Sequence, residues 1–442
     1  MWTELVEWFS IRNVNVRCPG TALGAVTRRC PQGPTAPVGI YIGTVLTTVA
    51  VRGYRSLRDL VLPMFPLTVV TGANGTGKSS LYRALRLLAD CGRGGVVASL
   101  ARQGGLQSAA WAGPEATKGA RRTGDVQGTV RARPVSIELG YASNDFGYLV
   151  DLGLPSISKT SAFVRDPEIK REYVFTGAVL RPSATLVQRT RPIVEARSES
   201  GRGFDGVSRS LPTYRSMLAE FAGGFPELAL VRGALRSWRF YDGFRVDDSA
   251  PARQPQIGTR TPILSDDGHD LAAAIQTIIE TEDDTFHRVI ADAFDGAAVS
   301  VDVTNGVFDV EVHQRGMLRP LRTAELSDGT LRFLLWAAAL SSTEPPALMV
   351  LNEPETSLHP ALIGPLAELI RAASDRTQVL VITHSDVLQH HLRAKPLRDF
   401  DYESRSEENP SAVQLEVVKD YGETQVAGLH PLAVPPWSWG SR

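Results

Sequence analysis

Strand-like and helix-like spacings of apolar residues follow one another along the chain in an order that already outlines a fold. Residues 47–51 and 60–62 read as strands separated by a Gly53/Tyr54 turn, and the largely apolar run 67–71 predicts a further strand. Residues 78–90 carry Leu81, Leu85 and Leu88 at helical spacing. Between 91 and 134 Gly, Arg and Ala dominate, which argues for loops with at most a short helix, away from the core. Strand patterns return at 135–139, 147–152, 172–175 and 184–187. A helical pattern over 213–238 is broken at Gly223/Gly224, and 269–294 reads as one or two helices. Residues 298–303 and 307–313 flank Asn305-Gly306, the dipeptide of a tight hairpin. A helix at 330–340, a buried strand at 347–351, a helix at 360–373 and a buried strand at 378–383 follow, and 413–418 pairs with 424–426 across 420–422.

The 442 residues, 43% of them hydrophobic, suffice for one large composite domain or two lobes. Lys plus Arg (47) nearly balance Asp plus Glu (48), so no overall positive field draws the chain to nucleic acid or anionic lipid. Cys18, Cys30 and Cys91 form neither a fully paired disulfide framework nor a zinc spacing, which suits a reducing cytosol. No apolar run approaches the ~18 residues of a membrane span, and no signal peptide is evident, so a soluble, cytoplasmic protein is expected. Residues 1–44, irregular and rich in Arg, Gly and Pro, read as an extension outside a fold that starts at about residue 45. No internal repeat and no sustained heptad pattern is present, which excludes long coiled-coil arms.

The strongest chemical signal is Gly72, Ala73, Asn74, Gly75, Thr76, Gly77, Lys78 and Ser79, followed by Ser80. It fits G-x-x-x-x-G-K-[ST] between an apolar strand and a helix, the setting in which backbone N–H groups at a helix N-terminus cradle phosphates. Lys78 supplies a charge for the β- and γ-phosphates and the Ser79 hydroxyl a ligand for Mg²⁺. Downstream, 347–351 ends in Asn352-Glu353-Pro354-Glu355, a strand with an acidic end. Glu353 is placed to orient or deprotonate a water, while Asn352 stands where a metal-associated Asp is usual and so removes one negative charge. Ser327 and Gly329 of Leu326-Ser327-Asp328-Gly329-Thr330 open a helix; taken alone they are also an ordinary cap. His384 follows the strand at 378–383, whereas His390 and His391 sit on a polar helical stretch and read as solvated surface.

Together, Asn74 within the phosphate loop, LSDGT at 326–330, NEPETSLHP at 352–360 and THS at 383–385 resemble the RecF/SMC-like branch of ABC-type ATPases. More closely they resemble the bacterial AAA-family ATPases of that branch that lack long coiled coils. The resemblance spans about 45–442, although 91–260 carries few diagnostic residues. It implies an α/β P-loop NTPase, an ABC-type head with a mixed sheet, an antiparallel β portion and an inserted α-helical lobe at about 204–297. It further implies ATP and Mg²⁺ as cofactors, Glu353, His384 and Lys78 as catalytic groups, and Ser79 and Asn352 at the metal. Ser327 and Gly329 would touch the γ-phosphate of a second copy, giving an ATP-dependent homodimer. Leu358-His359-Pro360 departs from the SALD of transporters, LSDGT departs from LSGGQ, and Gln103, Gln107 and Gln188 all stay open as the Q-loop residue.

Two arginine-rich stretches bear on partners. One holds Lys118, Arg121, Arg122, Arg131 and Arg133, the other Arg181, Arg189, Arg191, Arg197, Arg202, Arg209 and Arg215. On one face they would bind DNA phosphates; scattered, they are solvated loops. The expected function is therefore an ATPase acting on DNA in repair or genome maintenance, with a regulatory or defence ATPase that gates a partner protein as the alternative. Too little chain follows His384 for an appended nuclease domain.

Overall fold

The run Leu67–Thr71 (β3) is buried at every position, and its neighbours show why it carries no charged residue. In this computed structural model, which describes residues 45–113, 134–155, 163, 166–281, 283–399, 410–430 and 433–440, β3 lies inside a parallel sheet. β16 (Gln378–Ile382) pairs with it on one side and β18 (Ala412–Asp420) on the other. β15 (Leu348–Asn352) pairs with β16, β10 (Arg239–Tyr241) with β15, and β17 (Lys395–Pro396) with β18, all in parallel. β19 (Glu423–Val426) folds back antiparallel on β18. Both faces of such a sheet are covered, so its strands read as continuous apolar runs. The three-residue β10 carries no such run and lies hidden at the end of a helical pattern. The expectations for residues 1–44 and for the first arginine-rich stretch fall outside the described residues.

A second sheet is antiparallel, in the order β2-β1-β4-β5-β6-β7-β8-β9. Its strands are β1 (Leu46–Tyr54), β2 (Leu57–Pro63), β4 (Ser136–Ser143), β5 (Phe146–Gly153), β6 (Glu168–Thr176), β7 (Thr185–Thr190), β8 (Ile193–Arg197) and β9 (Phe204–Ser208). β1 runs on through Gly53 and Tyr54, so the turn falls two residues later than the sequence suggests. β8 and β9 were not legible, because each is five residues long and Glu195, Arg197, Asp205 and Gly206 interrupt the apolar pattern.

A small third sheet joins β11 (Gln256–Ile257), β12 (Ala298–Thr304), β13 (Val307–His313) and β14 (Leu321–Arg322). Asn305 and Gly306, at φ 54° and 77°, close the hairpin between β12 and β13 with the two positive φ values that a type I′ turn needs.

The parallel sheet separates two cores. On one face, Val70, Val350 and Ile382 pack with the antiparallel sheet and with α1 (Lys78–Arg93), α2 (Val96–Arg102), α3 (Gly105–Ala109), α4 (Met217–Phe221) and α5 (Pro226–Ser237). On the other, Val69, Leu351 and Val381 pack with α6 (Leu271–Ile279), α7 (Thr285–Ala293), α8 (Asp328–Leu340), α9 (Ile363–Ser374) and α10 (Asp386–Leu392). The strand pleat sends neighbouring residues of β3, β15 and β16 to opposite cores. Val96, Leu100, Leu106 and Ala109 are buried in the first core. The described part of 91–134 thus supplies core that its composition argued against, because two short helices bounded by glycines offer too few apolar positions to show a period. No helix among the described residues is long and apolar enough to cross a membrane.

Candidate nucleotide site

The phosphate loop leaves β3 at Thr71 and enters α1 at Lys78. Gly77, at φ 112°, is the residue before α1, and no side chain caps this helix end. The first N–H groups of a helix have no helical partner, so this end is a ready anion site. A Cβ on Gly77 would lie 2.0 Å from Thr424 Oγ1, and one on Gly72 would lie 2.3 Å from the Val417 carbonyl. Glycine is required there because the β18–β19 hairpin presses on the loop. Thr424 Oγ1 donates to the Thr76 carbonyl at 2.7 Å and lies 2.8 Å from Ser56 Oγ, and Thr76 Oγ1 donates to the Ala73 carbonyl at 2.8 Å. Lys78 Nζ donates to the carbonyls of Gly72, at 2.5 Å, and Ala73, at 3.1 Å. Burial lowers the pKa of this ammonium, opposed by the charges of Glu353 and Glu355. Ala73, Asn74, Gly75 and Ser79 are exposed at the mouth, and Ser80 is half-buried behind Ser79.

The ends of β3, β16 and β15 are level, with Val70 opposite Ile382 and Ile382 opposite Asn352. This register carries the residues after β15 to the edge where the loop begins. Glu353 N donates to the Ile382 carbonyl at 2.7 Å, and Glu353 itself has φ 48°. A left-handed conformation in a non-glycine residue costs about 1–3 kcal/mol and is held only where surrounding contacts fix it. The turn brings Glu353 Oε1 to 3.5 Å from His384 Nδ1, with Glu355 Oε1 at 4.0 Å from the same nitrogen. Glu355 is buried, accepts a 2.5 Å hydrogen bond from Thr383 Oγ1, and leaves its second oxygen without a hydrogen bond. Asn352 Nδ2 donates to Asp242 Oδ1 at 2.5 Å, across from the end of β10. The Ser79 hydroxyl, the Asn352 amide oxygen and the Asp242 carboxylate are oxygen donors of the kind that would suit a hard cation such as Mg²⁺.

An open cavity of about 550 Å³ lies against the loop, with Gly72, Ala73 and Asn74 on one side and His384, Gln389 and Gln414 on the other. The structure therefore gathers Lys78, Asn352, Glu353 and His384 at one edge of the parallel sheet. Among the described residues, no hydrogen bond or ion pair joins Ser327 or Gly329 to this set. Ser327 caps α8, its Oγ accepting from Thr330 N at 3.2 Å, and a Cβ on Gly329 would meet nothing. Arg253 fixes this turn by donating to the Leu326 carbonyl at 2.8 Å and to Asp328 Oδ1 at 2.6 Å. Of the open Q-loop candidates, Gln103 accepts from Tyr54 and Gln188 donates to Glu195, both on the antiparallel sheet side, and Gln107 is exposed on α3. Sequence reasoning missed Asp242, Glu355 as a buried acid, and Thr424. Each reaches the site from a distant or irregular segment, and only Glu355 lay within a recognisable motif.

A parallel sheet whose central strand runs through a Gly-Lys-Ser loop into a helix, with an acidic strand end two strands away, defines a P-loop NTPase. The added antiparallel sheet makes the arrangement a mixed one. Residues 67–388 match the family described as "AAA domain, putative AbiEii toxin, Type IV TA system", and the chain belongs to that family. No curated protein matches the sequence. Among solved structures, an SmcHead bound to the C-winged helix domain of ScpA shares 14% identity, covering 87% of this chain and 97% of that one with a TM-score of 0.46. The SMC head domain from Thermotoga maritima gives 13%, 87%, 98% and 0.42 in the same terms. An Smc head domain from Pyrococcus furiosus, bound to the C-terminal domain of ScpA, gives 13%, 87%, 96% and 0.44.

Proposed function

We propose that the protein binds ATP with Mg²⁺ at Gly72, Ala73, Asn74, Gly75, Thr76, Gly77, Lys78, Ser79 and Ser80 and hydrolyses it. The observation that carries this reading is the convergence of Lys78, Glu353 and His384 on one sheet edge, with Glu353 3.5 Å from His384. Backbone N–H groups and Lys78 bind the phosphates, and Ser79 and Asn352 would hold the cation, which would offset phosphate charge. Glu353 takes the proton of the attacking water, and His384 orients Glu353 and reaches the γ-phosphate. Ser327 and Gly329 complete the site from a second copy. Phosphate release is the test: Glu353→Gln should keep ATP affinity and lose about 100-fold or more in turnover. Turnover equal to wild type would remove Glu353 from this role.

The use of that cycle in gating a partner protein, in regulation or defence, is favoured over direct action on DNA. Two of the seven arginines in the second stretch are paired with acids of this chain, Arg189 wholly buried against Glu172 and Arg215 with Glu220, which weakens the basic face that DNA would need. The family description, with its toxin of a type IV TA system, also fits a partner-directed role. Turnover measured with and without duplex DNA across a salt series decides between them. Salt-sensitive stimulation by DNA would favour repair or genome maintenance.

A further inference from the structure

We propose that Asp242 supplies the carboxylate that the cation side of the site lacks at Asn352, so that the two residues act as one unit toward a divalent metal ion. The inference rests on the ATP-and-Mg²⁺ reading above and deepens it. β10 runs parallel to β15 with Tyr241 opposite Leu351, so Asp242 and Asn352 leave adjacent strands at the same level. Their side chains meet through Asn352 Nδ2 and Asp242 Oδ1. A carboxylate only accepts and an amide donates only through nitrogen, so this contact fixes which way the amide faces. The Asn352 oxygen is turned away from Asp242 and is left to accept from a metal-bound water. An Asp at both positions would set two like charges in contact.

A second route places Asp242 beside the helix that carries Ser79. Tyr82 lies three residues after Ser79, on the same face of α1, and packs edge-on against Phe240 of β10 with ring centroids 5.7 Å apart. The Tyr82 phenol is pushed up, first by burial and then by the charge of Asp242. Asp242 and Asn352 thus meet directly, and the helix that begins at Lys78 packs through Tyr82 on the strand that leads into Asp242. Gly243, at φ 81° with nothing near its missing Cβ, lets the chain turn sharply away after Asp242. The negative charge stands on the neighbouring strand end, and its contact holds the Asn352 amide with the oxygen in the orientation that would accept at a cation.

The test is a charge exchange read by metal binding. The affinity of the protein·ATP complex for Mn²⁺ is measured by electron paramagnetic resonance, and ATP affinity is measured in EDTA, for wild type, Asp242→Asn, Asn352→Asp and the double variant. Asp242→Asn should weaken Mn²⁺ binding about 10-fold or more with metal-free ATP affinity unchanged, in the range seen when a supporting metal-site partner is lost. The double variant, with the charge back at 352, should recover most of that loss. Unaltered Mn²⁺ affinity in Asp242→Asn, no recovery in the double variant, or an equal loss of ATP affinity in EDTA would each overturn the proposal. Wild-type protein that binds no ATP would instead overturn the nucleotide reading on which it rests.

Discussion

Glu172 and Arg189 face each other across β6 and β7, and both side chains are fully buried. Glu172 accepts from Arg189 Nη1 at 2.8 Å, Tyr148 Oη at 2.7 Å, Ser216 Oγ at 2.6 Å and Met217 N at 2.9 Å. Arg189 also donates to the carbonyls of Arg191, Pro212 and Arg215. The pair thus ties the antiparallel sheet to the segment that leads into α4. A buried charge stripped of its counter-charge is far costlier than a lost surface ion pair. Glu172→Gln keeps the shape and an acceptor but leaves the guanidinium uncompensated, so unfolding free energy should fall by about 3–5 kcal/mol in urea denaturation. A loss below about 1 kcal/mol, the scale of an exposed pair, would mean that solvent reaches Arg189. In the sequence this arginine is indistinguishable from its solvated neighbours, because composition reports charge and says nothing of the partner waiting on the next strand.

Elements differ in how far their sequence announces them. β3, β15 and β16 are buried on both faces and are apolar in nearly every position, so their runs were readable, and the loop between β3 and α1 is contiguous. The candidate site was legible to the same extent: Asn352, Glu353 and His384 lie at or just past the ends of apolar strands, and Lys78 closes the loop that follows another. Asp242 follows a three-residue strand, and Thr424 meets Thr76 across 348 residues, so neither has a local signature. The β18–β19 hairpin was visible as a strand pair, yet its role as a brace for the phosphate loop follows only from tertiary contact. That role predicts the behaviour of Thr424→Val, which keeps the side-chain shape in a buried position but removes the donor to the Thr76 carbonyl. Stability should fall by about 1–2 kcal/mol, the cost of an unmade buried hydrogen bond, and ATP affinity should fall with it. Titration with a fluorescent ATP analogue checks the second part; a stability loss with unchanged affinity would show that the hairpin supports the fold without shaping the loop.

For the molecule as a whole, the arrangement of α8 decides whether one copy suffices. Arg253 holds the turn before this helix, Ser327 caps it, and Arg332 Nη1 donates to the Thr356 carbonyl, which joins α8 to the segment just after Glu353. Lys78, Glu353 and His384 converge without Ser327 or Gly329, and Ser327 is exposed. An exposed helix start with a hydroxyl and an open glycine would suit an anion, and a two-fold dimer would present it to the nucleotide of the other copy, reciprocally. The pairing of Arg253 with Asp328 offsets the one negative charge in the first turn of that helix, which would otherwise oppose a phosphate. If hydrolysis reopens the dimer, Glu353→Gln with ATP and Mg²⁺ should accumulate it, and light scattering should show roughly twice the monomer mass at micromolar concentration. Adding Ser327→Arg should return the mass to that of the monomer, because a long side chain at the cap obstructs the shared site while the phosphate loop of the same copy is untouched. ATP binding measured on the same samples separates the two steps: Glu353→Gln that holds ATP yet stays monomeric would rule out the two-copy site and leave nucleotide binding standing.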